Sequence, residues 1–161
     1  MIEFKGRRVV FLDVDGVLNA HEWSYVGGRR IVPDNVVVAN TIFAESGAVA
    51  VISSSWRGLV NRGHMDLHGF TTMFATHGLA FPVVAVLPGV DHTAAAKGQL
   101  IVEFASQNAI AQWLTIDDSA LTLPPGRFLR TNGHRGLEPH HAHVVRDMFA
   151  AIAAETGKGK T

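Results

Sequence analysis

Cysteine is absent from this chain. Neither a disulfide framework nor a thiolate zinc site can therefore hold the fold. Net charge is absent too, because Lys and Arg total 14 and so do Asp and Glu. A protein that coats polyanions is usually basic, so this balance argues against that class while leaving room for a local basic site. No apolar run is long enough to span a bilayer. The first residues, Met1 to Arg8, pass straight into an apolar run without the pattern of a secretory leader. A soluble, cytoplasmic protein with no membrane partner is the expectation. Internal repeats and low-complexity linkers are missing as well.

What is present is a chain of 161 residues, 47% hydrophobic, enough for one domain with a sizeable core. Short β-rich runs alternate with helical stretches. Val9-Val10-Phe11-Leu12 is a continuous apolar run, as expected of a strand buried on both faces. Pro33-Asp34-Asn35 opens a helix through about Glu45, stopped by Gly47. Val49 to Ile52 is a second strand. A weaker helix falls between Met65 and His77, and Val83 to Val86 is a third strand. Thr93 to Gln107 reads as a helix, Ala111 to Ile116 as a fourth strand, and Arg127 to Arg130 as a short fifth. Glu138 to Glu155 is the final helix, and residues 157–161 read as a solvated, flexible tail. Such alternation predicts an α/β fold, a three-layer Rossmann-like parallel sheet with helices on both faces. Ligands of such sheets bind beyond the carboxyl ends of the strands. Asp13, Asp15, Ser53 to Ser55, Asp117 and Asp118 all fall at those ends.

The segment Phe11-Leu12-Asp13-Val14-Asp15-Gly16-Val17-Leu18-Asn19 is the most informative. Alternate residues of an extended chain point to one side, so both carboxylates can face one small volume. Two close carboxylates repel each other, and a hard divalent cation relieves that repulsion. Oxygen ligands of this kind suit magnesium, which also bridges to substrate phosphate. Asp13 can attack phosphorus as a nucleophile. Asp15 can protonate the leaving oxygen and then take a proton from the hydrolytic water.

This segment resembles motif I of the haloacid dehalogenase (HAD) superfamily, an apolar strand followed by Asp-x-Asp-Gly-[Thr/Val]-Leu. The resemblance implies that Asp13 is the nucleophile. It also implies phosphoryl transfer rather than carbon–halogen cleavage, since the second Asp, here Asp15, marks the phosphatases and phosphotransferases.

The remaining pieces follow in order. A phosphoryl group in transfer needs its oxygens held and neutralised. Ser53-Ser54-Ser55 can supply hydroxyl and backbone N–H donors, and motif II of the family is a Ser or Thr at this place. Ser54-Ser55-Trp56-Arg57 resembles the Ser-[Ser/Thr]-Trp-Arg form of some small HAD proteins, which favours Ser54, then Ser53, for phosphate binding. Lys97, near the start of a helix, matches motif III and is the sole Lys between Lys5 and Lys158; Arg57 could substitute for it. Thr115-Ile116-Asp117-Asp118 matches the double-Asp form of motif IV. Asp13, Asp15 and Asp117 are the expected magnesium ligands, with Asp118 in the metal shell or orienting it. The resemblance runs from about Val9 to Asp118 and extends to Gly136-Leu137-Glu138, which is similar to the Gly-Leu-Thr start of the last helix in some small members. Residues 1–156 form a single HAD-like domain on this reading.

Many HAD enzymes carry a cap domain over the site. Here the gap from His21 to Val32 is too short for one, and the gap from Arg57 to Ala96 is mostly consumed by core elements. An uncapped site is expected, and such sites are matched to large substrates. The Ser-Trp-Arg form and compact size resemble the HAD domains of RNA-repair proteins, which implies a phosphorylated polynucleotide end or a nucleotide as substrate. His21, Trp23, Tyr25, Arg29 and Arg30 lie in a short loop beside the nucleophile and could stack a base and hold a phosphate. His134, His140, His141 and His143 are read as surface or helix-start residues, His140 and His143 being neighbours by helical spacing. The function expected is a magnesium-dependent phosphomonoester hydrolase using an aspartyl-phosphate intermediate. The alternatives are a phosphotransferase on the same chemistry and a non-catalytic phosphate-binding module.

Overall fold

The structure is a computed structural model that describes residues 4–20, 31–90 and 93–158. Its elements in chain order are β1 (Arg8–Leu12), α1 (Pro33–Ser46), β2 (Val49–Ile52), a 3-10 turn (Ser55–Arg57), α2 (Gly58–Asn61), α3 (Leu67–Thr76), β3 (Val83–Val86), α4 (Ala94–Gln107), β4 (Gln112–Asp117), β5 (Phe128–Arg130) and α5 (His140–Lys158). The strands form one parallel sheet in the order β3-β2-β1-β4-β5. The order reverses beside β1, which has hydrogen-bonded neighbours on both sides. That is the place where an open α/β sheet offers a crevice to ligands.

Strand alternation divides the apolar residues between two faces. Val10, Leu12, Ala50, Ile52, Leu114 and Ile116 join a core covered by α1, α3 and α5. Val9, Phe11, Val49, Val51 and Trp113 join a second core covered by α4. The result is the expected three-layer sandwich. Phe11 is fully buried on the α4 side, edge-on to Phe104 and Trp113 with ring centroids 5.9 and 5.6 Å away. Burying one such side chain contributes about 2 kcal/mol.

Pro33 stands at the start of α1, where its missing N–H costs nothing. Asn35, expected only to help open that helix, does something else. It is buried, and its amide donates to the carbonyls of Arg135 and Leu137, both at 2.9 Å, so it ties α1 to the approach of α5. Thr93 caps α4 by accepting from the Ala96 N–H at 3.2 Å. The short α2 has no counterpart in the sequence expectations, since four residues carry no helical period. The final helix continues to Lys158, past the expected end at Glu155.

The stretch from Arg57 to Ala96 is occupied by α2, α3 and β3, so no large cap is inserted there. The loop holding His21, Trp23, Tyr25, Arg29 and Arg30 lies outside the described residues. Among the described residues no helix is long and apolar enough to cross a membrane.

Candidate active site

Strand parity decides which way the acidic side chains point. Val9 and Phe11 belong to the α4-side core, so Asp13, next in that series, emerges on the same side. Trp113 sets the same parity for Asp117 on β4. The register pairs Leu12 with Ile116, and the Asp13 N–H donates to the Ile116 carbonyl at 3.0 Å. Two carboxylates therefore leave adjacent strand ends beneath the first turn of α4. Lys97 reaches both, its Nζ 3.4 Å from Asp13 Oδ1 and 2.5 Å from Asp117 Oδ2. The helix is seated closely because residue 98 is glycine. A Cβ there would lie 2.7 Å from the Thr122 carbonyl oxygen.

Asp117 is fully buried, and its Oδ1 accepts from the Ser119 N–H at 2.9 Å. Asp118 faces the cleft. Asp13, Asp117 and Asp118 can each offer an oxygen so that all three lie within 4.8 Å of one another. Burial pushes the Asp13 carboxyl well above its ordinary pKa; Lys97 pulls it down, and the Asp117 and Asp118 carboxylates add to the rise. Clustered hard oxygen donors of this kind suit a divalent cation such as magnesium.

Asp15, expected to share the metal, is held separately. Its Oδ1 accepts from Asn19 Nδ2 at 2.9 Å, and Trp56 Nε1 lies 3.3 Å from each of its oxygens. Asn19 Oδ1 in turn accepts from the Gly16 N–H at 2.9 Å. Gly16 has φ 77°, and a Cβ there would collide with the Asp118 carboxylate, so the turn requires glycine on two counts. Thr131, just after β5, donates to the Gly16 carbonyl at 2.7 Å, and the Leu137 N–H donates to the Val17 carbonyl at 2.8 Å. The turn carrying Asp15 is thus fastened from several sides.

The serines divide their tasks. Ser53 and Ser54 are both buried. Ser54 Oγ accepts from the Trp56 N–H at 3.2 Å and caps the 3-10 turn, whereas Ser53 Oγ has no hydrogen-bond partner among the described residues. Ser55 is the serine that lines the cleft. Arg57, considered as a substitute for Lys97, donates from Nη1 to the carbonyls of Ser53 and Ser54 at 2.7 and 2.9 Å. It braces the serine turn, and Lys97 alone makes ion pairs with Asp13 and Asp117 among the described residues. The cleft itself is open and holds about 640 Å³, with Asp13, Asp15, Ser55, Arg57, Lys97 and Asp118 on its walls.

Sequence reasoning gave no role to Asn19, Trp56 or Thr131. The Asp15–Asn19 spacing and the Trp in Ser-Trp-Arg were visible; Thr131 has no local signal, because its contact spans the sheet. The histidine reading needs a correction. His141 is buried, its Nδ1 accepting from the Glu138 N–H at 2.8 Å, and burial followed by the neighbouring His140 lowers its pKa. His143 lies 3.0 Å from Arg146, and it is His141 and Glu138 that come together with His140.

No curated protein and no solved structure gives a significant match to this chain. A family model does match, over residues 9–142, from β1 into the first turn of α5. It describes the HAD domain in Swiss Army Knife RNA repair proteins, and the chain belongs to that family of the HAD superfamily, whose general chemistry is phosphoryl transfer.

Proposed function

We propose that this protein is a magnesium-dependent phosphomonoesterase that works through an aspartyl phosphate on Asp13, with a phosphorylated nucleic-acid end or a nucleotide as substrate. The observation that carries the reading is the Lys97 ammonium between Asp13 and Asp117, with Asp15 fixed apart by Asn19 and Trp56. One carboxylate is kept for attack and another for the proton.

Asp13, Asp117 and Asp118 would hold the cation, whose charge, when bound, offsets that of the phosphoryl oxygens and of the carboxylates themselves. Lys97, Ser55 and the amino end of α4 hold the phosphoryl group. An Asp13 carboxylate oxygen forms a bond to phosphorus as the bond to the leaving oxygen breaks. Asp15 gives its proton to that oxygen. Water then attacks the same phosphorus, Asp15 takes its proton, and the bond to Asp13 breaks, releasing phosphate and restoring both carboxyl groups. Lys97 opposes the rise that burial imposes on the Asp13 carboxyl and so favours the ionised form that attacks. The open cleft and the family's association with RNA repair support a polynucleotide substrate.

Phosphate release from p-nitrophenyl phosphate, nucleotides, and 3′- and 5′-phosphorylated oligonucleotides tests this. Turnover should require magnesium, stop with EDTA, and vanish in Asp13→Asn. Turnover persisting in Asp13→Asn would rule out the mechanism, and no turnover of any phosphoester would leave a binding module.

A further inference from the structure

Asp15 marks the side of the phosphorus on which the alcohol leaves. In an in-line displacement the leaving oxygen departs opposite the attacking Asp13 oxygen, toward the group that protonates it. Trp56, whose Nε1 is 3.3 Å from both Asp15 oxygens, stands on that side. The indole also walls a second hollow of about 390 Å³, lined by Trp56, Gly58, Leu59, Arg62, His64 and Val90. The two spaces adjoin, since Ser55 and Val90 line both. Phe74 packs edge-on against the Trp56 ring, with centroids 6.3 Å apart, and steadies it.

The chemistry of this hollow is mixed in an informative way. Trp56, Leu59 and Val90 supply aromatic and aliphatic surface, while the exposed Arg62 supplies a guanidinium and the exposed His64 an imidazole able to hydrogen-bond an anion. A volume near 390 Å³ falls within the range of about 300–1,000 Å³ usual for small-molecule pockets. A ligand with a flat hydrophobic body and an anionic group beyond it matches these features. The side chain of a phosphoserine has no such body. We infer that this hollow is the leaving-group subsite, seating the nucleoside that bears the scissile phosphate, with Arg62 and His64 taking the next phosphate along the strand. The inference rests on the phosphatase reading above and narrows its substrate class.

Gly58 allows a direct test. Its backbone is helical, with φ −58° and ψ −27°, and a Cβ built there meets nothing nearer than Arg62 Nε at 4.0 Å. Gly58→Glu therefore adds bulk and negative charge to the wall of the hollow, with a Cβ that the backbone and its neighbours accommodate. Binding is measured by calorimetry, in magnesium, to Asp13→Asn and to Asp13→Asn/Gly58→Glu. The probes are inorganic phosphate, a terminally phosphorylated dinucleotide and a phosphoserine tripeptide. The dinucleotide should bind Asp13→Asn about tenfold more tightly than inorganic phosphate, and Gly58→Glu should erase that advantage. The inference fails if the dinucleotide has no advantage, if Gly58→Glu weakens both ligands equally, or if the phosphopeptide matches the dinucleotide. The phosphatase reading fails separately: a retained dinucleotide advantage with no phosphate release by the wild-type protein would make the hollow a nucleotide-binding site without turnover.

Discussion

Lys97 lies nearer to Asp117 than to Asp13, its ammonium 2.5 Å from the first carboxylate and 3.4 Å from the second. Asp117 has no exposed surface, so its charge depends on this contact and on the Ser119 N–H. Asp13 shares the same cation less closely, and burial holds its carboxyl well above the ordinary pKa. One lysine thus serves a fully buried acid and, beside it, the acid proposed to react.

Removing that lysine should separate the two roles. Lys97→Met leaves two buried carboxylates without their partner and should cost about 3 kcal/mol in urea denaturation. Phosphate release should fall by roughly a hundredfold or more. Added magnesium should restore part of the stability and little of the turnover.

Asp13 predicts a pH dependence of definite sign. An acid whose pKa rises on folding binds more protons in the folded state than in the unfolded one. Its stabilising contribution is full below the ordinary carboxyl pKa and is lost as pH rises through the folded value. Metal-free protein should therefore show a urea midpoint that declines over that range, and Asp13→Asn should flatten the profile while abolishing turnover. Magnesium, which binds the ionised carboxylate, should stabilise more strongly as pH rises.

Trp56→Phe keeps an aromatic ring against Phe74 and removes the N–H that faces Asp15. Loss of a hydrogen bond to a charged group, about 1.5 kcal/mol, should lower kcat about tenfold for an alkyl phosphate. The loss should be smaller for p-nitrophenyl phosphate, whose phenolate departs without a proton. An equal loss on both substrates would deny Trp56 its link to the general acid.

His141 gives the opposite pH behaviour on the other side of the molecule. Its pKa is lowered by burial, so its contribution to stability is full above about 6.5 and is lost as pH falls through the folded value. Protonation also removes the acceptor for the Glu138 N–H. The melting temperature should drop between pH 7.5 and 5, and His141→Gln should show a shallower drop.

Much of this was legible in the sequence because strands carry their own direction signals. Val9 to Leu12 reads as an unbroken apolar run, and the run before Asp117 is apolar but for Gln112 and Thr115, so each reads as a buried strand whose end marks a rim. Lys97 was legible through the resemblance to motif III, narrowed by the lack of another Lys between residues 5 and 158, with Arg57 left as the alternative. The choice among the serines was not, because a triplet of identical residues has no internal contrast. Only the 3-10 turn decides that Ser55 faces the cleft while Ser54 caps. Asn35 and Thr131 were illegible for a different reason. Their partners, Leu137 and Gly16, are separated from them by 102 and 115 positions, and no local pattern encodes such a bond.

The pairing of Leu12 with Ile116 has a consequence for how such proteins diversify. The gap between the backbone at Asp13 and that at Asp117 is a lattice spacing of the sheet, about 4.8 Å, and owes little to how the surrounding side chains fit. Substitutions under α1 or α5 can accumulate without changing the dimensions of the reacting centre. Drift in the rim is then free to alter what is gripped, while the separation of these two carboxylates stays constant.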